Sequence, residues 1–544
     1  MSATLVKLNI TRRSPTVPAV SDAFNQCEHA PIPVVTNGRG LPALPVELLR
    51  QIFSELQTQA DRSHLAQTCR RVSLLLIPEL YTHDAKYDDH HALLWACESN
   101  KDKLLEDLIR RDATIVDRIF TEDHSYHGRR ITSKYLTPLI TAIRASSTMC
   151  VFILLKNGAN ANLPDQEPVE GHRARWYPIN WAVGCRTSRS IPIIKMLKKR
   201  GADINQIPRW PERIPGYIYP DIFSSASPGL DLPPIFRVLL FEKPRLPQSR
   251  YNELTDATSF NKDFKKLLAL RNKQLKHLLE NGADANAKRN IGGVEFKQTP
   301  VFFLLLQLQW FSTSFYFPDV LKLRHEENTQ AQIVNEMSVL FLNTLKDYGA
   351  DIHMRVAHMP KPPLRETTPL LEACALPDPH RPIIHWFLDN GVSINTPNAG
   401  GRTPLMSYCD ARYGSAIRDL EQLEAFVKRG PCLNARDSDG RTALHKLLLN
   451  RDLRPLVREK AAKMLVKRGA DPTIANNWGE LPGQESKVYH PDFEIDDDLK
   501  QWLDEEVSKR QRKREHTKAS QTRGKQNRDN QGKKTETMTS RFCN

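Results

Sequence analysis

The side chains best suited to metal binding or acid–base chemistry occur in groups too sparse to form a site. His90 and His91 are adjacent and His325 precedes two glutamates, but neither group has the second histidine four residues on that a helical zinc-protease motif needs. The carboxylates of Asp496–Asp498 lie at the start of a predicted helix, where the helix dipole favours acidic residues. Gly-rich phosphate loops and a Gly-x-Ser-x-Gly nucleophile turn are absent. We therefore predict a chain without catalytic residues, metal site or cofactor.

The nine cysteines indicate a reducing compartment. No two of them lie within four residues of each other, which excludes CxxC zinc or redox sites, and their odd number favours free thiols. No apolar run approaches the roughly 18 residues of a membrane span, and the N-terminal segment lacks the apolar centre of a secretory signal. We predict a cytoplasmic and/or nuclear protein that does not contact membranes.

The net charge of +15 comes mostly from one segment near the C-terminus. Residues 509–534 contain eleven Lys or Arg against two acidic residues, which accounts for nine of the fifteen net charges. Because such a segment has little apolar surface to bury, we predict that 509–544 is a disordered basic tail. Three roles remain open: a solubilising tail, a nuclear-import signal at 509–514, and nucleic-acid binding, although we do not expect nucleic acid as a partner.

Most of the chain repeats one start signal and one stop signal. The start is typically Thr-Pro-Leu, a hydroxyl cap followed by a ring at the first helical position. Seven starts lie at Thr137, Tyr177, Pro233, Thr299, Thr368, Thr403 and Thr442. The stop is a glycine that ends a second apolar helix in the left-handed conformation. The seven stops lie at Gly158, Gly201, Gly282, Gly349, Gly391, Gly430 and Gly469.

Each unit between a start and a stop is therefore helix, loop, helix and turn. An eighth, less regular copy precedes the others, with Asp112 at the glycine position. Neither helix of a unit can bury its apolar face alone, so the units must stack on one another. We predict an all-α array of about eight irregular helix–loop–helix units over residues 90–482, followed by a C-terminal helix at 490–508.

This array resembles the ankyrin repeat family. The best copy is "DSDGRTALHKLLLN" followed by "AAKMLVKRGADPT". It carries the family's residues at Asp437, Gly440, Thr442, Leu444, His445, Gly469, Ala470 and Asp471. The resemblance implies a solenoid fold, and it implies that His445 bonds the backbone of a neighbouring unit. The units here exceed the about 33 residues of a regular ankyrin repeat, because insertions occur near 207–234, 242–265 and 308–332.

The insertions are rich in aromatic residues that could bind a target protein, since Tyr and Trp are favoured anchors at interfaces. The candidates are Trp210, Tyr217, Tyr219, Trp310, Phe315 and Tyr316. The alternative is that these aromatics only cover the stack. We predict that the two later insertions interrupt the helix pairs of their units.

The front of the chain has a different pattern. Residues 1–40 are irregular and proline-rich, and we predict that they are disordered. From Pro45, apolar residues recur on one face of a helix, and Asp61 or Ser63 is placed to cap a second helix that reaches Leu76. A third short turn follows at Ile77–Tyr81. The pattern predicts a small three-helix domain over 41–84, which is short for independent stability.

This domain resembles the F-box family. The family's positions are filled by Leu44, Pro45, Glu47, Leu48, Leu49, Ile52, Phe53, Leu56, Leu65, Cys69, Arg70, Arg71, Pro78 and Leu80. The join to the array resembles that of filamentous-fungal F-box and ankyrin proteins. The resemblance implies docking on the Skp-family adaptor of cullin–RING ubiquitin ligases. The residues that would make this contact are Leu44, Pro45, Leu48, Leu49, Ile52 and Phe53.

Three functional hypotheses follow from the sequence. In the first, the chain is a substrate-recognition subunit of an SCF-type (cullin–RING) ubiquitin ligase, and the array binds an unknown target protein while partner subunits transfer ubiquitin. In the second, it is an ankyrin scaffold without a ligase connection, and residues 44–83 only cap the stack. In the third, it is a nuclear factor that uses its basic tail.

Overall fold

The computed structural model is mainly helical, as the sequence predicts. It describes residues 44–57, 59–87, 91–121, 135–165, 176–207, 232–240, 257–291, 294–314, 324–357, 366–376, 381–410, 420–451, 453–484 and 495–539. The chain divides into two compact units, Met1–Asp203 and Ile204–Asn544. The predicted disorder of residues 1–40 lies outside the described residues.

The first unit contains nine helices among its described residues. They are α1 (Val46–Glu55), α2 (Gln59–Ala66), α3 (Arg70–Tyr87), α4 (His91–Glu98), α5 (Asp102–Arg111), α6 (Pro138–Arg144), α7 (Thr148–Lys156), α8 (Pro178–Gly184) and α9 (Ser190–Lys199). A 3₁₀ turn spans Ala113–Asp117, and β1 (Phe120–Thr121) pairs with β2 (Tyr135–Leu136) as an antiparallel hairpin.

The second unit contains eleven helices in the part of the chain that the structure describes. They are α10 (Pro234–Val238), α11 (Ala257–Glu280), α12 (Pro300–Ser314), α13 (Arg324–Asp347), α14 (Pro369–Ala375), α15 (Arg381–Asp389), α16 (Pro404–Cys409), α17 (Leu420–Lys428), α18 (Ala443–Leu449), α19 (Pro455–Lys467) and α20 (Asp497–Thr539). Two antiparallel hairpins pair β3 (Arg289–Ile291) with β4 (Val294–Gln298) and β5 (Val356–Ala357) with β6 (Glu366–Thr367). None of the helices described combines the length and apolarity that crossing a bilayer requires.

The predicted start signals are confirmed as helix starts. Each of α6, α8, α10, α12, α14, α16 and α18 begins at the residue directly after a predicted start. At Thr137, Thr368 and Thr403 the hydroxyl accepts the N–H of the residue three positions on, at 3.2, 3.4 and 3.3 Å. These bonds satisfy an N–H group that otherwise has no partner within its helix.

The predicted stop signals are confirmed as left-handed turns. All seven stop glycines have positive φ, between 80° and 115°. A side chain at these positions would be strained by the Cβ atom, so glycine is required there. At the eighth copy Asp112 has an extended φ of −142° and instead caps the 3₁₀ turn, its carboxylate accepting the Thr114 N–H at 2.9 Å.

Within each compact unit, the first helices of successive helix pairs pack beside one another, and so do the second helices. In the first unit α4 contacts α6 and α6 contacts α8, while α5 contacts α7 and α7 contacts α9. In the second unit the same relation joins α10, α12, α14, α16 and α18 in turn. The first helices contribute much of the core, as in α18, where Leu444, His445, Leu447 and Leu448 are all buried. Each pair therefore covers the apolar face of the next.

Asparagine side chains tie successive turns together. Asn434 lies four residues after one stop glycine; its amide group donates to the carbonyl of the next stop glycine, Gly469, at 3.1 Å, and its carbonyl oxygen accepts the Asp471 N–H at 2.7 Å. The same pair of bonds is made by Asn162, Asn205, Asn286 and Asn395. His353 occupies the equivalent position after Gly349, and its side chain makes no hydrogen bond among the described residues. Among the joints between the seven stop glycines, the asparagine bridge is therefore missing only at this one.

The two later insertions lie between the first and second helices of their units, α10 and α11 in one and α12 and α13 in the other, and part of each insertion is helical. The second helices α11 and α13 each have 24 residues, and they pack against each other. Thr344 donates to the Asn272 side chain at 3.0 Å, and Lys265 pairs with Glu336 at 2.9 Å. The predicted interruption of the helix pairs does not exclude helical structure in the inserted residues, and α11 and α13 each offer the other a packing partner.

The C-terminal helix also differs from the prediction. α20 continues through the segment after Lys509 that we predict to be disordered and ends at Thr539. Its first turns pack through Leu499, Leu503 and Val507, which are buried. The basic segment has few apolar residues, but it contains no proline and is rich in Lys, Arg and Gln, which are good helix formers. Low apolar content indicates that the segment cannot form a packed core, but it does not exclude a helix.

Candidate functional site

The N-terminal module, which we define as residues 44–84, begins at a proline turn. Pro45 precedes α1, and its carbonyl accepts the Leu49 N–H at 3.1 Å, which starts the helical bonding pattern. Glu47 lies in the first turn, where the helix dipole favours a negative charge. α1 is strongly amphipathic, so one of its faces must be covered.

The covered face of α1 packs on α2 and α3 around a small apolar core. Its buried members are Leu49, Phe53, Leu65, Ala66, Val72, Leu76 and Leu80. Leu44, Ile52, Leu56, Cys69, Leu75 and Ile77 pack at its edge. The predicted second helix is in fact two helices, because α2 ends at Ala66 and α3 starts at Arg70. The predicted third turn is part of α3, which continues through Pro78.

Arg62 is the buried polar centre of the module. Its Nε donates to the Phe53 carbonyl at 3.3 Å, near the end of α1 where carbonyls lose their helical partners. Its other arm donates to Nδ1 of His83 at 3.3 Å, and the guanidinium lies 5.9 Å from the Phe53 ring centroid. Arg62 therefore joins α1, α2 and α3. This role could not be predicted from the sequence, where Arg62 is only a basic residue near apolar ones.

The structure separates the six predicted adaptor-binding residues into two groups. Leu49 and Phe53 lie in the core, with Leu49 0% exposed, so they hold the module together. Leu48 is 45% exposed and Pro45 is also exposed, whereas Leu44 and Ile52 are half-buried. Pro45, Leu48 and Ile52 are spaced i, i+3 and i+7, which places them on one side of α1. We call these three residues the α1 row.

The opposite side of the module packs against the first helix pair. α3 contacts α4, and the Asp84 carboxylate accepts the Ala92 N–H at 2.9 Å. Arg111 at the end of α5 donates to the Pro78 carbonyl at 3.2 Å. Burial, together with the charge of Asp107, raises the pKa of Tyr81 to about 12. The module therefore covers the end of the helix pairs while the α1 row remains exposed.

The target-binding candidates lie outside the described residues. Trp210, Tyr217, Tyr219, Phe315 and Tyr316 fall in segments that the structure does not describe. Trp310 lies within α12, but its side chain is likewise outside the description. Their proposed contacts stay predictions.

His445 is confirmed in the role that the ankyrin resemblance implies. Its Nδ1 accepts the Thr442 N–H at 3.1 Å, so its Nε2 carries the proton and donates to the Glu480 carbonyl at 3.4 Å. Burial lowers the pKa of His445 to about 4, and the charge of Arg441 lowers it further against the opposing Glu480 bond. The imidazole is therefore neutral at physiological pH and links α18 to the next turn.

Burial keeps four cysteine side chains in the thiol form. Burial raises the pKa of Cys150 to about 12, and it also raises the pKa of Cys97, Cys374 and Cys409. These groups stay thiols at neutral pH, and the thiolate is the nucleophilic form. No cluster of three His, Cys, Asp or Glu residues with metal-binding geometry occurs within the described ranges.

Comparison with known families agrees with the N-terminal geometry. The F-box-like family model matches residues 41–83, which is nearly the whole module. No ankyrin repeat family match is found for the helix pairs. A search of curated proteins gives no match to the chain.

Proposed function

We propose that the chain is the substrate-recognition subunit of an SCF-type (cullin–RING) ubiquitin ligase. In this proposal the N-terminal module docks a Skp-family adaptor, and the tandem helix pairs bind a target protein. The observation that carries the proposal is the F-box-like match at residues 41–83 combined with the exposed Leu48 beside Pro45. An F-box that docks an adaptor needs apolar surface left uncovered by its own chain, and the α1 row supplies it.

We further propose that the helix pairs are ankyrin repeats. The support is local: Thr-Pro helix starts, left-handed glycine stops, and asparagine bridges between consecutive turns. His445, which bonds across to Glu480, adds a contact of the kind that the resemblance implies. Repeated pairs create extended surface, and surface of this kind serves recognition.

In this role the chain itself transfers nothing. Holding a target close to a ubiquitin-loaded enzyme raises the effective concentration of the target's lysines, and partner subunits carry out the chemistry. The site of action is cytoplasmic and/or nuclear, with residues 509–514 as a candidate import signal.

A second candidate is a scaffold without ligase activity, in which the module only caps the first helix pair. The packing of α3 on α4 and the bond from Arg111 to the Pro78 carbonyl support this role. Capping uses α3, whereas docking would use the α1 row. The two roles use different surfaces, so one does not exclude the other. Adaptor binding is what separates the two candidates.

Co-purification with a Skp-type adaptor tests the proposal. We expect Leu48→Asp to abolish co-purification, because it places a charge in the centre of the apolar contact. The matched control is Leu456→Asp, which changes an exposed leucine of α19 and should retain the adaptor. A substitution at Leu49 would be uninformative, since this residue is in the core. Retention of the adaptor by Leu48→Asp, or its absence from the unaltered chain, would contradict docking through the α1 row.

A further inference from the structure

α7 exposes apolar side chains on a helix that is apolar almost all round. Its inner side is formed by the buried residues Cys150, Val151, Ile153, Leu154 and Leu155. On the outer side Met149 and Phe152 are 48% and 49% exposed. They are three residues apart, so they lie on one face of the helix. Helices that are apolar on every side are normally buried in full, which indicates that the outer face of α7 receives a partner.

This pair differs from the other exposed apolar side chains of the chain. The remaining large ones among the described residues are Leu48, Ile207, Leu340, Tyr348, Leu456 and Trp478. No two of these lie within one turn of the same helix. Single exposed apolar residues are normal on soluble proteins. The clustering on α7 is what requires an explanation.

A row of positive charge lies beside the apolar pair. α9 packs against α7 and has no acidic residue over its whole length, Ser190–Lys199. Counted back from the turn glycines, Lys195 and Lys199 of α9 correspond to Phe152 and Lys156 of α7. Lys156, Lys195 and Lys199 are exposed, and none has an ion-pair partner in the part of the chain that the structure describes. Their charges are available to an approaching anion.

The other second helix that contacts α7 is not basic in the same way. α5 contacts α7 and carries mixed charges, with Arg110 paired to Asp107 at 2.7 Å. The positive potential is therefore concentrated on the α9 side of the apolar pair. Positive charge on only one side of the apolar pair determines the orientation in which an acidic amphipathic partner can bind.

We propose that the α7–α9 face, defined by Met149, Phe152, Lys156, Lys195 and Lys199, docks an acidic amphipathic helix of a target protein. Apolar side chains of the partner would cover Met149 and Phe152, and its carboxylates would pair with the lysines. Methionine adapts to partners of varied shape. A nucleic acid is disfavoured as the occupant because phosphates would leave the apolar pair uncovered. The inference rests on the proposed function, since it gives the target-binding role a location and a chemistry.

The test uses the full chain and a fluorescent synthetic helix of about twenty residues. The probe has leucines on one face and glutamates elsewhere, and its matched control replaces every glutamate by lysine. We expect fluorescence anisotropy to show at least tenfold tighter binding of the acidic probe, weakening as salt rises. Phe152→Ser and the double variant Lys195→Glu, Lys199→Glu should each weaken acidic-probe binding at least tenfold. Leu456→Ser and the double variant Lys273→Glu, Lys276→Glu, which alter exposed residues of other helices, should leave it unchanged.

Three results would overturn the inference. The first is equal binding of the two probes, or no binding of the acidic one. The second is a loss of thermal stability in Phe152→Ser, because an occupant from the same chain would already cover this side chain. The third is binding of a single-stranded oligonucleotide that depends on Lys195 and Lys199 but not on Phe152. Adaptor co-purification separates the two proposals, since Phe152→Ser should keep the adaptor and Leu48→Asp should keep the acidic probe.

Discussion

His445 shows how one buried residue couples a turn contact to pH. In the folded chain its pKa is about 4, lowered by burial, whereas an unfolded histidine has a pKa of about 6.5. The unfolded state therefore takes up a proton first as the pH falls. The stabilising contribution is fully present above about pH 6.5 and is lost as the pH falls from there towards about 4.

We predict that acidification from about pH 7.5 to about pH 5 lowers the free energy of unfolding through His445 by about 2 kcal/mol. In His445→Gln this part of the pH dependence should disappear, although the variant will be less stable at neutral pH. Urea unfolding at the two pH values, followed by helical circular dichroism, measures the difference. His516→Gln is the matched control, because His516 is a histidine exposed on α20. An unchanged acid sensitivity in His445→Gln would refute this assignment.

The asparagine bridges allow us to predict one substitution that lowers stability and one that raises it. Asn434→Ala removes the bonds to the Gly469 carbonyl and from the Asp471 N–H, and we expect a loss of about 1–2 kcal/mol in the free energy of unfolding. His353→Ala is the matched control, because this residue occupies the same turn position without a bridge. His353→Asn should stabilise the chain by installing the missing bridge towards Gly391. Equal effects of Asn434→Ala and His353→Ala in urea titrations would show that the bridges carry no stability.

Sequence alone did not show whether an apolar residue of the F-box pattern lies in the core or at the surface. Leu48 and Leu49 are equally apolar and adjacent, and both fit the F-box pattern. One lies outward and the other in the core, and only the packing of α1 on α3 determines which. The asparagine bridges could have been found, since each asparagine follows its stop glycine by four residues.

At the scale of elements, the boundaries set by local stereochemistry were predictable. Threonine caps and left-handed glycines act within three or four residues, so sequence alone located the starts and stops. The three short hairpins lie next to helix starts without a turn motif that the sequence analysis used, and the long helices α11 and α13 depend on packing between segments far apart in sequence. These features carry weak local signals, so the hairpins and the lengths of α11 and α13 were not predicted.

α20 is attached at its start and exposed further on. Arg510 donates to the Val466 carbonyl at 3.1 Å, and both Arg510 and Arg514 pair with Asp471. Burial alone would raise the pKa of Asp471, but hydrogen bonds from Thr473 and the two arginine charges outweigh it and lower the pKa. Two arginines of the basic 509–514 cluster are thus engaged by the helix pairs of the second unit.

We predict that Asp471→Asn loosens the helix from Lys509 onward. Without the carboxylate charge, Arg510 and Arg514 lose their ion pairs, and trypsin should cut at 509–514 several-fold faster. The matched control is Asp351→Asn, because Asp351 has the same turn position and accepts the His353 N–H at 2.8 Å, but forms no ion pair with an arginine among the described residues. Equal cleavage rates in the two variants would mean that the ion pairs do not hold α20.

At the scale of the whole molecule, the chain combines one small module with many repeated helix pairs. The module exposes the α1 row, and the pairs expose the α7–α9 face. Each surface has its own substitution and control, so the proposed adaptor binding and the proposed target binding can be tested one at a time. This separation is what a protein that bridges two partners requires.

The most direct test of the central claim is light scattering of the purified chain mixed with a purified Skp-type adaptor. The account predicts a one-to-one complex, with a mass equal to 62.2 kDa plus that of the adaptor. Leu456→Asp should form the same complex. A mixture of Leu48→Asp and the adaptor should instead show the separate masses of the two proteins. Separate species for the unaltered chain, with the N-terminal module folded, would contradict the account and leave the scaffold role in its place.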